Sequence, residues 1–380
     1  VADVTVIGAG PVGLLLAGQL NRAGVDVELL ERRPTASAGS RAIGVHAPAL
    51  AALEPSGVTE RLLERATRVG RGEARSGGRV LGVVRFDRLS MRFPFVATIP
   101  QAATEAVLAA DAPAPTRSAL VSSVLPRGDR VVVRAGVSGF VTERESPIVV
   151  VASGASGRDL VYREGAQRIH TYPDRYVMSD AATPPSRDDA VAVVHLDAAG
   201  VLESFPLWDG QRRFVAWDAP DADPEPEARL ERLRAAVAAR GYDASGIGEA
   251  SGFGVRRFVA PRLRNGRIFA IGDVAHEVSP IGGQGMNLGF LDAATLAPLL
   301  VDWVRTGTAP DAALHEWERR RVASARTAAR LATANTALGR RLGPAGDAAR
   351  RTAVRAMLAR PMGSVFARAY AMGFDRDARG

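Results

Sequence analysis

No cysteine occurs in the 380 residues. This excludes disulfides, a thiolate haem ligand, cysteine-held iron–sulfur clusters and a cysteine nucleophile. Lysine is absent too, so all 49 basic side chains are arginines. Neither Schiff-base chemistry nor a phosphate-loop lysine is available. The five histidines, His46, His170, His195, His276 and His315, are dispersed without metal-ligand spacing, and no metal is implied. No run of about twenty apolar residues exists, and the first residues enter a strand without a charged-then-apolar leader. Neither a membrane span nor export is expected, and the cytoplasm is the expected compartment. The net charge of +8 and pI near 10.8 invite a nucleic-acid reading. The arginines are interleaved with acids, however, as in Glu316-Trp317-Glu318-Arg319-Arg320-Arg321, and no nucleic-acid motif accompanies them. Attraction for anionic cofactors and substrates is the milder reading.

What is present is glycine in two dense, remote settings. Val4-Thr5-Val6-Ile7 reads as a short strand, Gly8-Ala9-Gly10-Pro11-Val12-Gly13 is G-x-G-x-x-G, and Leu14 to Ala23 reads as helix. A second strand, Val25 to Leu30, ends in Glu31 and Arg32. The order strand, glycines, helix, strand, acid is what a dinucleotide fingerprint requires. Gly8 permits the turn, Gly10 the approach of a pyrophosphate, Gly13 close helix packing, and Glu31 accepts ribose hydroxyls. Far along the chain, a β-branched strand ends in Gly272-Asp273, a turn follows through Pro280, and Gly282-Gly283-Gln284-Gly285-Met286-Asn287 opens a helix. Backbone N–H groups and a helix N-terminus together form a cradle for a polar ligand edge.

The two segments together resemble the FAD-dependent aromatic hydroxylases, the single-component flavoprotein monooxygenases related to para-hydroxybenzoate hydroxylase. The resemblance extends to Ser40-Arg41-Ala42-Ile43-Gly44-Val45-His46 and to Ile99-Pro100-Gln101 ahead of the helix with Glu105. It implies that Asp273 binds the ribityl chain, that the glycine bend after Pro280 holds the isoalloxazine edge, and that Arg41 and Gln101 contact FAD. Gly8, Gly10, Pro11, Gly13, Glu31, Arg32, Pro280, Gly283, Gly285, Met286 and Asn287 complete the candidate cofactor set. It further implies reduction of the flavin by NAD(P)H, addition of O2 at its C4a position and transfer of oxygen from the hydroperoxide to an aromatic or polycyclic small molecule. One departure concerns the reductant. Ser153 stands where the family carries the aspartate of a mid-chain Asp-Gly motif, with Arg158 or Arg163 as substitutes for its later arginine. Three other readings stay open: a flavin reductase or dehydrogenase without oxygen insertion, a Baeyer–Villiger oxygenation, and a nonenzymatic flavin-binding protein.

The expected fold is α/β, a Rossmann-like FAD domain with an inserted β-sheet substrate domain and C-terminal helices. The FAD domain is expected to be discontinuous, from residues 1–71, 100–167 and 255–345, with the substrate domain from 72–99 and 168–254. Short β runs mark the second sheet, among them 79–84, 89–95, 190–196, 200–207 and 213–217. Phe95, Tyr176, Phe205 and Trp217 are candidate substrate contacts, with Phe93, Met178, Trp208 and Phe214 as further wall candidates. The Pro280 carbonyl is a candidate to polarise a substrate hydroxyl. No residue is singled out as a general base; His46, His195 and Tyr176 are each possible. Asp347 to Phe374 reads as two basic amphipathic surface helices covering the FAD domain.

Overall fold

The computed structural model describes residues 1–36, 42–137, 139–163, 165, 167–186, 188–359 and 362–375. Its first layer grows from β1 (Val4–Ile7), buried at all four positions as a central parallel strand must be. β2 (Val27–Leu30) and β11 (Ile148–Val151) flank it in parallel, β18 (Ile268–Ala270) continues in parallel, and β17 (Arg264–Asn265) closes the edge antiparallel. This sheet draws on both ends and the middle of the chain. α1 (Pro11–Arg22) joins β1 to β2 and packs against α6 (Gly285–Thr306) and α4 (Gln101–Ala109). Gly13 makes the entry to α1 possible, because a Cβ there would sit 1.9 Å from the Gly8 carbonyl oxygen.

An eight-stranded mixed sheet forms the second layer. Its order is β19 (His276–Glu277), β16 (Ser251–Val259), β12 (His170–Ala182), β15 (Gln211–Asp218), β14 (Gly200–Pro206), β13 (Val191–Asp197), β5 (Arg71–Ser76) and β6 (Arg79–Arg85). Alternation gives it two apolar faces. Val177, Leu202, Phe214 and Ala216 pack on Leu233 and Val237 of α5 (Pro226–Ala238), while Met178, Leu196, Val201 and Val215 point the other way. Two smaller sheets complete the β structure: β8 (Ala119–Arg127), β9 (Arg130–Val137) and β10 (Phe140–Ser146), and β3 (Gly44–Val45), β7 (Val96–Thr98) and β4 (Thr67–Val69). The remaining helices are α2 (Ala47–Leu53), α3 (Val58–Leu63), α7 (Asp311–Leu338), α8 (Pro344–Leu358) and α9 (Met362–Tyr370). Among the described residues no helix is long and apolar enough to cross a membrane.

Two expectations are corrected. Residues 89–95 form no strand: the Met91 N–H donates to the Leu89 carbonyl and the Phe95 N–H to the Phe93 carbonyl, and these local turns use donors a sheet would need. Residues 96–98, just beyond, pair with β3 and β4 in a small sheet. The C-terminal helices do not simply cover the parallel sheet. α8 and α9 lie on β6, with Val354 in the apolar cluster of the large sheet and Ala367 and Ala371 against Val84, Phe86 and Val96.

A buried ionic cluster ties the layers to the second glycine motif. Asp292 on α6 accepts the Gly272 N–H at 3.0 Å, His276 Nε2 at 2.5 Å and Arg321 Nε at 2.8 Å. Arg321 on α7, fully buried, also donates to the Leu288 carbonyl and pairs with Asp375 at 2.9 Å. Burial opposes the Asp292 charge, but His276 and Arg321 hold its carboxyl down to about 2. A depressed carboxylate contributes stability that is complete above its ordinary range and is lost as pH falls through about 2. Asp292→Asn is therefore expected to cost about 3–5 kcal/mol at neutral pH. Denaturant melts of parent and variant should show this gap shrinking steadily below about pH 4.

Candidate active site

The carboxyl ends of the parallel strands and one face of the large sheet open onto the same cavity of about 790 Å³. Such strand ends are where open α/β sheets bind ligands, because the loops that follow can diverge there. β1 delivers Gly8, Gly10 and Pro11, β2 delivers Glu31 and Arg32, β11 delivers Ser153, and β18 delivers Gly272 and Asp273. Gln101 at the start of α4, together with Pro280, Gly283, Gly285 and Met286, lines it as well. Candidates from the first hundred residues and from the distant Gly272–Met286 stretch thus meet in one space. Arg41 lies outside the described residues.

The local geometry suits an anionic ligand with polar groups. A Cβ on Gly10 would meet nothing within 4 Å, and α1 begins there without a side-chain cap. Its leading N–H groups and dipole are therefore offered to an anion. Glu31 accepts the Ala9 N–H at 2.7 Å and the Arg33 N–H and Nε at 2.9 and 3.0 Å. Burial works against its charge, yet these bonds to Arg33 and Ala9 hold it below the usual carboxylate range. At the second motif, Gly282 and Gly283 adopt φ of 107° and 66°, which turns the chain into α6, again uncapped by a side chain. Ser153, which lines the cavity, has a buried Oγ with no partner among the described residues, a polar atom suited to a ligand. Among the described residues no cluster of His, Cys, Asp or Glu could hold a metal ion.

Two candidates support the cavity from behind. Gly13 packs on the Gly8 turn, and buried Asn287 accepts the His46 N–H at 2.8 Å while donating to the Gly44 and Gly283 carbonyls. Neither is among the lining residues. The Pro280 carbonyl accepts the Gly283 N–H at 2.8 Å, so its first role is to close the turn. Arg158 is 2% exposed, donates to the Asp273 carbonyl and pairs with Glu277 at 2.8 Å. It braces the Asp273 turn from below and is not presented to a reductant.

The substrate candidates divide. Phe205 lines the cavity, as does Met178. Phe95 stacks edge-on with Phe93 under Arg68, Tyr176 is fully buried against Phe253, and Trp217 donates to Asp174; none of the three lines it. Trp208 is exposed, and Phe214 faces α5. Of the candidate bases, His195 lies off the cavity, bonded to the Tyr242 hydroxyl at 3.1 Å. His46 does line it, with burial pulling its titration down to about 4.

The residues missed from sequence are Glu203 and the wall from α8 and α9. Glu203 sits in a strand whose inward-facing neighbours are Val201 and Phe205, and burial alone pushes its carboxyl up to about 8. A lone acid inside the run Val201-Leu202-Glu203-Ser204-Phe205 was the available signal. Met357, Leu358, Phe366 and Tyr370 close the cavity from the C-terminal helices, and nothing local in their sequence pointed inward. Because Glu203 stays protonated in the fold up to about 8 while it ionises near 4.5 when unfolded, its burial costs on the order of 5 kcal/mol by about pH 8. Glu203→Gln is accordingly expected to raise the thermal midpoint, with no gain near pH 4 and a gain that grows to about pH 8. Calorimetry across that range checks it.

The family profile described as FAD binding domain matches residues 1–332. The 12-dehydrotetracycline 5-monooxygenase/anhydrotetracycline 6-monooxygenase of Streptomyces rimosus is 31% identical over 347 residues, which is 85% of this chain and 67% of the relative. The rifampicin monooxygenase of Streptomyces venezuelae is 30% identical, covering 84% of this chain and 68% of its own length. Both relatives therefore extend beyond what this chain matches. The crystal structure of p-nitrophenol 4-monooxygenase from Pseudomonas putida superposes with a TM-score of 0.84 at 22% identity, covering 100% of this chain and 98% of that one, which shows a shared fold.

Proposed function

Because the chain belongs to the FAD binding domain family, with flavin monooxygenases among its relatives, we propose that it is an FAD-dependent monooxygenase that hydroxylates an aromatic or polycyclic small molecule using NAD(P)H and O2. The observation that carries this reading is continuity. The glycine cradle of the parallel sheet and the apolar face of the large sheet bound a single cavity. A dinucleotide held at the glycine cradle would share this cavity with the apolar walls of Met178, Phe205, Leu358 and Phe366.

Gly8, Gly10, Pro11, Glu31 and Arg32 would hold the adenosine diphosphate portion, and Gln101, Asp273, Gly283, Gly285 and Met286 the portion nearer the ring. When bound, FAD supplies the activation of oxygen. The protein supplies position and dryness. Asp292 fixes the Gly272-Asp273 turn, Asn287 fixes His46 against Gly283, and the α8 and α9 side chains exclude water from the large-sheet face. An NAD(P)H requirement sets the activity in the cytoplasm. Arg158 is committed to Glu277 and the Asp273 carbonyl, so of the two arginines considered for the reductant the exposed Arg163 is the one left to it.

Purified protein should be yellow. With NAD(P)H and a panel of phenols and fused-ring phenols it should consume O2 and release a product heavier by one oxygen atom. Flavin-loaded protein that takes up no oxygen with any of them would refute the monooxygenase assignment. Asp273→Ala should weaken FAD retention about tenfold or more, roughly 1.4 kcal/mol; equal retention by flavin fluorescence would remove Asp273 from the cofactor set.

A further inference from the structure

The register of the large sheet sets one carboxyl in an apolar row. Met178 of β12 pairs with Val215 of β15, Val215 with Glu203 of β14, Glu203 with Val194 of β13, and Val194 with Ala74 of β5. All five line the cavity. Along β14, the neighbours on the same face are Val201 and Phe205, which line it too. Glu203 is 5% exposed, and among the described residues no side chain or backbone group donates a hydrogen bond to it. Other acids at the large sheet are differently served: Glu73, which also lines the cavity, and Asp188 both pair with Arg75 at 2.7 Å. A buried, unpartnered carboxyl is disfavoured unless something arriving in the cavity uses it.

We propose that Glu203 is the proton acceptor for the substrate, and that the substrate class is therefore one bearing a phenolic or enolic hydroxyl that reaches the middle of this apolar row. This rests on the monooxygenase reading above. The O–H bond of the substrate breaks, its proton forms a new O–H bond on the Glu203 carboxylate, and the electron pair stays on the substrate oxygen. The resulting aryloxide is richer in electrons at its ring carbons, which is what oxygen transfer to a ring requires. No oxidant takes part in this step.

Burial supplies the matching basicity. An ordinary carboxylate is far too weak a base for a phenol that titrates near 10, whereas a carboxyl raised to about 8 lies close enough for transfer to proceed. The titratable groups that feel its charge are Tyr370 of α9 and Tyr176 of β12, both raised well above the ordinary tyrosine range, first by burial and then by Glu203 among nearby charges. Neither ionises in the working range. Tyr176 lies beside the Arg340–Asp174 pair, and Arg213, which also lines the cavity, is held by Asp180 at 2.6 Å. His46, beside Tyr370, is neutral above about 4. The limb near pH 8 thus belongs to Glu203.

The test compares flavin-loaded parent, Glu203→Gln and Glu203→Leu. In the parent, kcat/KM for an unactivated phenol should climb with pH and level off above about 8. Glu203→Gln should lose about a hundredfold on that phenol and lose the limb. On 4-nitrophenol, which already ionises in neutral water, the loss should be several-fold at most. A purely structural role would lower both substrates alike and would not be rescued by substrate acidity. A second readout needs no turnover: from the perturbation of flavin absorbance, the parent should bind a phenol about tenfold more tightly than its methyl ether, and Glu203→Leu should show no preference. If the parent hydroxylates phenols and Glu203→Gln does so with the same pH profile, the assignment of Glu203 is overturned. If the parent consumes no oxygen with any phenol, the monooxygenase reading fails, and the binding comparison still decides whether Glu203 recognises the hydroxyl.

Discussion

A single carboxylate, that of Asp292, holds together what the rest of the molecule uses. It accepts hydrogen bonds from the Gly272 N–H, His276 and Arg321, and Arg321 in turn grips Asp375 near the end of the described chain. The loop that follows β18, the start of the long helix α6, the helix α7 and the tail are therefore fastened at one buried point. A charged group taken out of water is held only where its partners satisfy it, and here three donors do so with no exposure of the carboxylate. The consequence is positional. Asp273 and the Gly282–Gly283 turn both lie in the stretch between Gly272 and Asp292 that this bond closes, so the cavity edge they form is set by the buried cluster and not by the loops alone.

Around that anchor the two main sheets divide the labour. The parallel sheet offers loop backbone and helix N-termini at its carboxyl edge, a polar surface suited to phosphate and ribose. The large sheet offers a mostly apolar face, interrupted by Glu203 and by Arg213 in its pair with Asp180. α8 and α9 complete the enclosure by resting on β6, which gives the cavity a wall from a part of the chain beyond the matched family region of residues 1–332. The same apolar packing that excludes water also raises the Glu203 carboxyl, so dryness and basicity have one physical origin.

How much was legible beforehand depended on the range of the interaction. The strand–glycine–helix–strand–acid order around Gly8 and Glu31 was readable because each requirement is local: a turn, a missing Cβ, a helix start. Phe205, one of the wall candidates, lines the cavity on the face of β14 it shares with Val201. Tyr176 and Trp217 lie on the same kind of strand and still fail to reach the cavity, because Phe253 and Asp174 from neighbouring elements engage them first. Arg158 looked available for a reductant and is instead buried beneath Asp273, more than a hundred positions away.

The sequence by itself determined the kind of protein this is, a dinucleotide-binding α/β chain with a second sheet, because those signals lie within one turn or one strand. Only the tertiary structure decided which side chains share the cavity. Cross-strand register placed Glu203 between Val194 and Val215, and the docking of α8 and α9 on β6 closed the space. Both follow from burying apolar surface against distant segments, and no local pattern encodes which segments those are.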